Sequence, residues 1–221
     1  MSVHSSKHGK SKVPEEHYEL PSAQTLQEAG ELEVADEYGR KVQFKKLYDS
    51  KGGQQLIVFI RHFFCGNCED YIRTLSKELP PSVLHTSSPP THLTIIGCGE
   101  ISPIPNYRTR TMSDILGTDT HFTIYCDPSR KLYAKLGMLS NMSTAPDGKK
   151  PGYLTKSKLE NVTSSLKNAV MSGADAIKGG HPAQNGGEML FANGELVWFK
   201  RMRHTEDHAE VEELKQVLGL V

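Results

Sequence analysis

Apolar positions along the chain cluster into short β-branched runs separated by stretches with helical spacing. Gln55–Ile60, Leu93–Gly97 and Phe122–Cys126 are continuous enough to be strands buried on both faces. Each precedes a helical pattern: Tyr71, Ile72, Leu75 and Leu79 after the first, 106–116 after the second, and a third running from Asp127-Pro128 through Leu136 to a stop at Gly137. Strands alternating with helices at this spacing predict parallel βαβ units. Before them, Ser22 is placed to cap a helix over Ala23–Ala29 that ends at Gly30. A hairpin follows, in which Glu31–Ala35 and Lys41–Phe44 flank a turn completed by Gly39. Pro81–Pro90 is expected to be a loop. Near the end, Glu188–Ala192 and Glu195–Lys200 flank Asn193-Gly194, a type I′ hairpin signal, and Asp207–Leu218 closes the chain as an amphipathic helix.

The alternation breaks over residues 140–186. Ser143–Lys156 is rich in Gly, Pro and Lys, Lys158–Met171 has helical spacing at Leu159, Val162, Leu166 and Val170, and Ser172–Gln184 is again loop-like. This stretch is expected to be an insertion that covers the active site. Residues 1–20 are polar and aperiodic, the pattern of a disordered tail, which leaves 21–221 as a single domain.

Charge narrows the function classes. With 26 basic and 26 acidic side chains in 221 residues, no global field points to nucleic acid or an anionic membrane. Met1–Lys12 lacks the apolar core of an export signal, and Leu56–Ile60 is far too short to span a bilayer. A cytoplasmic, reducing setting is expected. There, four cysteines do not make a disulfide scaffold, so a Cys-x-x-Cys pair suggests redox or metal chemistry.

That pair, Cys65 and Cys68, falls where the first buried strand turns into its helix. A helix N-terminus offers free N–H groups and partial positive charge, and Arg61 and His62 lie just before it, so the position favours a thiolate. A thiolate there can attack a disulfide or a peroxide, with a partner three residues on to trap the product. Cys98 and Cys126 end the next two strands, so all four sulfurs are expected along one edge of the sheet. Plainer alternatives stand beside this: a structural pair, a zinc site completed by His62 or Cys98, Cys98 and Cys126 as small buried apolar residues, and His62 as a solvent-facing ring. No second Cys-x-x-Cys or His pair supports zinc, and no metal is expected. His204 and His208, four apart, have the spacing of a surface pair.

Taken together, Phe59-Ile60-Arg61-His62-Phe63-Phe64-Cys65-x-x-Cys68, Ile96-Gly97-Cys98-Gly99, Tyr125-Cys126-Asp127-Pro128, Gln184-Asn185-Gly186-Gly187 and the Arg201-x-Arg203 to Asp207-His208 tail resemble the peroxiredoxin-like 2 proteins of the AhpC/TSA branch. The resemblance implies an α/β, thioredoxin-like fold with a central mixed sheet flanked by helices. It also implies a thiol oxidoreductase that reduces a peroxide, endoperoxide or disulfide with Cys65 and Cys68. No cofactor is expected beyond an external thiol reductant such as glutathione or thioredoxin, and a homodimer is admitted. Thioredoxin logic makes Cys65, nearer the exposed turn, the attacking thiol; peroxiredoxin logic aligns Cys68 with the peroxidatic position. Selenium-containing relatives carry selenocysteine at the first position, which favours Cys65. Gln184, Gly186 and Gly187 take the place of a thioredoxin's cis-proline, with the glycines letting backbone approach the thiols and Gln184 donating a hydrogen bond. Arg201 or Arg203 would supply the cation that stabilises the thiolate. A small-molecule biosynthetic enzyme on the same scaffold and a redox-sensing binding module are the rival classes.

Overall fold

The computed structural model describes residues 15–49, 51–113, 122–154 and 178–221. The expected helix over Lys158–Met171, residues 155–177 of the expected 140–186 insertion and residues 1–14 lie outside them. Seven strands form one mixed sheet in the order β2-β1-β5-β4-β3-β6-β7. At its centre, β3 (Gln54–Phe59), β4 (Thr91–Gly97) and β5 (Thr123–Cys126) run parallel. The hairpin β1 (Glu33–Asp36) and β2 (Lys41–Gln43) joins antiparallel on the β5 side. The hairpin β6 (Gly187–Ala192) and β7 (Glu195–Arg201) joins antiparallel on the β3 side. Asn193 and Gly194 both take positive φ, 53° and 88°, as a type I′ turn requires.

The apolar run of β3 is continuous because both faces are covered. Leu56, Val58 and Ile60 pack beneath α2 (Gly66–Glu78), α4 (Ile104–Met112) and the last helix α6 (Val211–Val217). Ile57 and Phe59 face the other way, onto Phe44, Phe199 and the Leu132–Leu136 stretch containing α5 (Lys131–Lys135). Ser22 caps α1 (Ala23–Gly30) by accepting the Thr25 N–H at 3.1 Å.

Several boundaries differ from those expected. Residues 81–86 form a helix, α3, because Pro81 sits at its first turn, where a fixed φ and a missing N–H cost nothing. The helix expected from Asp127 starts only at Lys131. Arg130 takes a left-handed φ of 56°, and the Asp127 carboxylate reaches past it to accept the Leu132 N–H at 2.9 Å. The closing helix begins at Val211, since the preceding backbone is engaged elsewhere: His208 N–H donates to Tyr153 Oη and Ala209 N–H to Glu188. Residues 15–20 are not free tail. Tyr18 donates to Glu213 at 2.9 Å, and the carbonyl of Glu19 accepts from Arg201 at 2.7 Å.

Gly186 is where the chain enters β6 across the end of β3. A Cβ there would lie 1.7 Å from the Phe59 carbonyl oxygen, so no side chain fits without moving the strand that carries the site. Gly186→Ala is expected to destabilise the protein by about 3 kcal/mol, as overpacking against backbone does. Urea unfolding of the two proteins checks this; an unchanged midpoint would show that the β3–β6 junction gives way easily.

Candidate active site

Beyond Phe59 the chain stays paired for one residue, Ile60 N–H to Ile96 carbonyl, before turning through Arg61–Phe64 into α2. Arg110 of α4 holds this turn, donating to the Phe63 carbonyl and to the Glu69 carboxylate, both at 2.8 Å. Arg73 also pairs with Glu69, at 3.1 Å, and with Asp70, at 2.8 Å. Two nearly inaccessible carboxylates are thereby charge-matched, and the first turn of α2 is clamped to α4.

Cys65 is the N-cap of α2. Its sulfur accepts the Cys68 N–H at 3.4 Å and faces Arg61 Nη1 at 3.3 Å. The Cys68 sulfur accepts the Arg61 N–H at 3.4 Å. Neither thiol lies at an exposed turn as expected: Cys65 is 3% exposed and Cys68 not at all. Their surroundings nonetheless separate them. A hydrogen bond from the Cys68 thiol lowers the Cys65 pKa most, burial opposes it, and the Arg61 charge adds to the lowering; Cys65 ends well below the ordinary thiol range. Burial, together with the neighbouring Cys65 anion, pushes Cys68 well above it. His62 is only partly buried, but its desolvated setting pushes the ring pKa down to about 4, so it is neutral at pH 7.

The last residues of the expected 140–186 insertion close over Arg61. Its Nε donates to the Gln184 carbonyl at 3.2 Å and its Nη2 to the Pro182 carbonyl at 2.5 Å. Gln184 thus meets the site through its backbone. Its side-chain amide donates to the Leu139 and Asn185 carbonyls instead. Gly186 and Gly187 approach the Phe59 and Lys200 carbonyls, rather than the thiols.

Cys98 follows β4 and Cys126 ends β5, and both lie at the same sheet edge as the pair. Cys98 donates to the Arg61 carbonyl at 2.9 Å, and burial pushes its thiol up to about 11. Cys126 pairs in register with Gly97 and is fully buried, its thiol pushed up to about 12 by burial. All four cysteines are free. A pocket of about 300 Å³ opens beside Cys98, lined also by Glu100, Arg130, Lys178 and His181. Among the described residues, no cluster of three or more His, Cys, Asp or Glu side chains is arranged to hold a metal ion, and no helix is long and apolar enough to cross a membrane.

On the other side of Cys68 lies a group that sequence reasoning misplaced. His208, expected at the surface, is 3% exposed, with Nε2 3.5 Å from the Cys68 sulfur and Nδ1 2.5 Å from Glu188 Oε1. His204 is also buried.

This arrangement, a sulfur-bearing turn between a central parallel strand and its helix, can be compared with known proteins. The AhpC/TSA antioxidant enzyme family model matches residues 74–204, more than half of the chain. The chain belongs to this family. Peroxiredoxin-like 2C of Mus musculus is 30% identical over 190 residues, covering 86% of this chain and 78% of that protein, and the Homo sapiens protein matches to the same extent. A cysteine-to-serine mutant of peroxiredoxin 6 from Arenicola marina shares the fold at a TM-score of 0.51 and 13% identity, covering 86% of this chain and 69% of that one. A yeast mitochondrial 1-Cys peroxiredoxin does so at 0.52 and 10%, covering 85% and 71%. The expected thioredoxin-like, peroxiredoxin-like α/β fold is therefore the fold observed. The family match begins six residues beyond Cys68, so the chemistry of the pair has to be argued from its own surroundings.

In this peroxiredoxin-like chain the cation beside the thiols is Arg61; the guanidiniums of Arg201 and Arg203 are committed elsewhere. Arg201 donates to the Leu136 and Glu19 carbonyls and lies over the Phe199 ring; Arg203 pairs with Asp207 at 2.7 Å. Sequence reasoning also missed Glu69, Arg110 and Glu188. For Glu188 a signal was present: it is a carboxylate inside an otherwise apolar strand.

Two outcomes follow from the charges. Cys65 should be alkylated by iodoacetamide with a pH midpoint below that of an ordinary thiol, because the thiolate is the reactive form. Arg61→Met should raise that midpoint by about 1–3 pH units; mass spectrometry of the labelled peptide over a pH series measures it. His62 is held neutral in the fold but takes up a proton when unfolded, so the unfolded state binds more protons as pH falls below 6.5. Stability should therefore drop by up to about 3 kcal/mol between pH 6.5 and 4 on this account. His62→Gln should flatten that part of the curve in urea unfolding measured across the window.

Proposed function

We propose that the protein is a thiol oxidoreductase in which Cys65 attacks a hydroperoxide, an endoperoxide or a disulfide and Cys68 resolves the product. One observation carries this: the Cys65 sulfur caps α2 while facing the Arg61 guanidinium at 3.3 Å, with a second thiol three residues along the same helix turn. The lowered pKa of Cys65 and the raised pKa of Cys68 support that division of roles.

With a hydroperoxide, the Cys65 thiolate attacks one oxygen. The S–O bond forms as the O–O bond breaks, and the departing alkoxide takes a proton to leave as an alcohol. Cys68 then attacks the Cys65 sulfenic acid. The S–S bond forms, the S–O bond breaks and water departs. With a disulfide substrate, a mixed disulfide takes the place of the sulfenic acid and a thiol leaves. An external dithiol or glutathione, in a reducing compartment such as the cytoplasm, returns the pair to its reduced state. Because Cys65 is nearly inaccessible, a substrate arrives through the surface above Arg61, where exposed Met142 and Pro182 contact the guanidinium.

Challenge with cumene hydroperoxide and with oxidised glutathione, followed by thiol blocking and peptide mass spectrometry, tests this. The native protein should yield a Cys65–Cys68 disulfide, Cys68→Ser should retain a trappable adduct on Cys65, and Cys65→Ser should be inert. Full turnover by Cys65→Ser with none by Cys68→Ser would reverse the roles. An unmodified pair under both oxidants would end the proposal.

A further inference from the structure

Cys68 poses a chemical problem under the reading just proposed. Its surroundings keep it protonated, yet it has to become a nucleophile when Cys65 carries the leaving group. Burial and the Cys65 anion both hold the Cys68 proton in place. The anion disappears once Cys65 is oxidised, but the burial remains, so the thiol needs a base within reach and no water is needed if the protein supplies one.

The structure supplies a candidate. His208 Nε2 lies 3.5 Å from the Cys68 sulfur, and its Nδ1 lies 2.5 Å from Glu188 Oε1. All three side chains are nine-tenths or more buried. The ring is held on both sides. It stacks on Tyr71 with centroids 4.2 Å apart and planes 11° from parallel, and the edge of Tyr153 meets it from another direction. The backbone is fixed too, with the His208 N–H donating to Tyr153 Oη at 3.1 Å. Glu188 sits in β6 opposite Val58 of β3, and its second oxygen accepts the Ala209 N–H at 3.3 Å. A carboxylate inside a sheet loses its hydration at a heavy cost unless its charge is met. Here the groups around it are His208, the phenol of Tyr71 and the ammonium of Lys200, which is itself paired with Glu213 at 2.8 Å. An apolar residue would fill that strand position at no such cost. Retaining sulfur, imidazole and carboxylate in a row is how a proton is moved from a thiol in a dry interior.

We propose that Cys68, His208 and Glu188 form a buried proton relay that activates the resolving thiol. As the Cys68 sulfur attacks oxidised Cys65, its proton passes to His208 Nε2. The resulting imidazolium is stabilised by the Glu188 carboxylate on the opposite ring nitrogen. The S–S bond forms, the bond from Cys65 to its leaving group breaks, and the proton on His208 is then released to the leaving group or to solvent. His208 is the catalytic base in this step, and Glu188 is a positioning residue that acts through it.

The test separates the two thiol steps in the full-length protein with 4,4′-dithiodipyridine as oxidant. Attack by Cys65 releases one thiopyridone and leaves a mixed disulfide; closure by Cys68 releases the second. His208→Gln should leave the first phase intact and slow the second by roughly 100-fold, the scale of a lost general base. Glu188→Gln keeps the side-chain shape. It should slow the second phase less and move its pH midpoint downward, because the imidazolium loses its counter-charge; a merely structural carboxylate would leave that midpoint unchanged. In the unsubstituted protein, the second phase alone should slow in heavy water, a readout that does not depend on the variants folding. A second phase unaffected by His208→Gln, or one without a heavy-water effect, would overturn the relay while the first phase still stood. Loss of the first phase in the unsubstituted protein would instead overturn the thiol chemistry itself, and the relay with it.

Discussion

A guanidinium that is only 5% exposed loses most of its hydration, a cost of several kcal/mol that has to be met by nearby acceptors. At Arg61 the acceptors are two carbonyls from the 182–184 segment, the sulfur of Cys65 and, at 3.7 Å, the thioether of Met142. The carbonyls satisfy hydrogen-bonding capacity but carry no net charge. Of the groups that the guanidinium touches among the described residues, the Cys65 sulfur is the one able to become an anion, so the buried cation and the ionised thiol depend on each other. The main chain of the same residue ties in two further sulfurs, its N–H reaching Cys68 and its carbonyl accepting from Cys98. The turn after β3 is thus organised around one residue that contacts three of the four cysteines.

The two members of the pair occupy different electrostatic worlds although they lie three residues apart. Cys65 meets the open end of the helix and a fixed positive charge. Cys68 is already inside the first turn, where the backbone offers it no free donor from its own helix, and it looks toward the His208–Glu188 side. Helix geometry contributes to this split: the N-cap position collects N–H groups, and the third helical position packs against the core. Chemistry that needs one thiol ionised and the other held in reserve is served by that difference.

Much of this was legible in the chain, and the boundary falls where physics would put it. Local signals located β3, the Cys-x-x-Cys turn, both hairpins and the Asn193-Gly194 turn, because β-branched runs, a cap and a positive-φ pair act over a few residues. The α3 helix was lost to a count of prolines that overlooked how well Pro81 suits a first helical turn. The start of α5 was lost to Asp127, whose carboxylate caps at a distance around a left-handed Arg130. At the site, Arg61 lay within the readable motif, while the cation expected from Arg201 or Arg203 was placed by analogy and found elsewhere. His208 lies 140 positions from Cys68 and 20 from Glu188, and they meet only because β6 pairs beside β3 and the segment before α6 folds back over that edge. No local spacing encodes such a meeting. A lone acid in the apolar strand Gly187–Ala192 was the one trace of it.

Burial and reactivity also bear on each other at this site. The carbonyls that close over Arg61 are the ones that satisfy its donors, and both belong to the chain leading into β6, held at Gly186 against the end of β3. A path to Cys65 through the surface above Arg61 would displace part of this cover. Displacing it releases guanidinium donors beside the sulfur, where a polarised oxygen of a peroxide or a leaving thiolate would need them. Opening the site therefore need not dismantle its electrostatics: the cation stays with the thiolate through Nη1, and the donors freed from the backbone become available to the incoming group. A cover made of neutral carbonyls, rather than of carboxylates, allows that exchange, because an incoming polar oxygen can replace a carbonyl oxygen without removing a charge from the site.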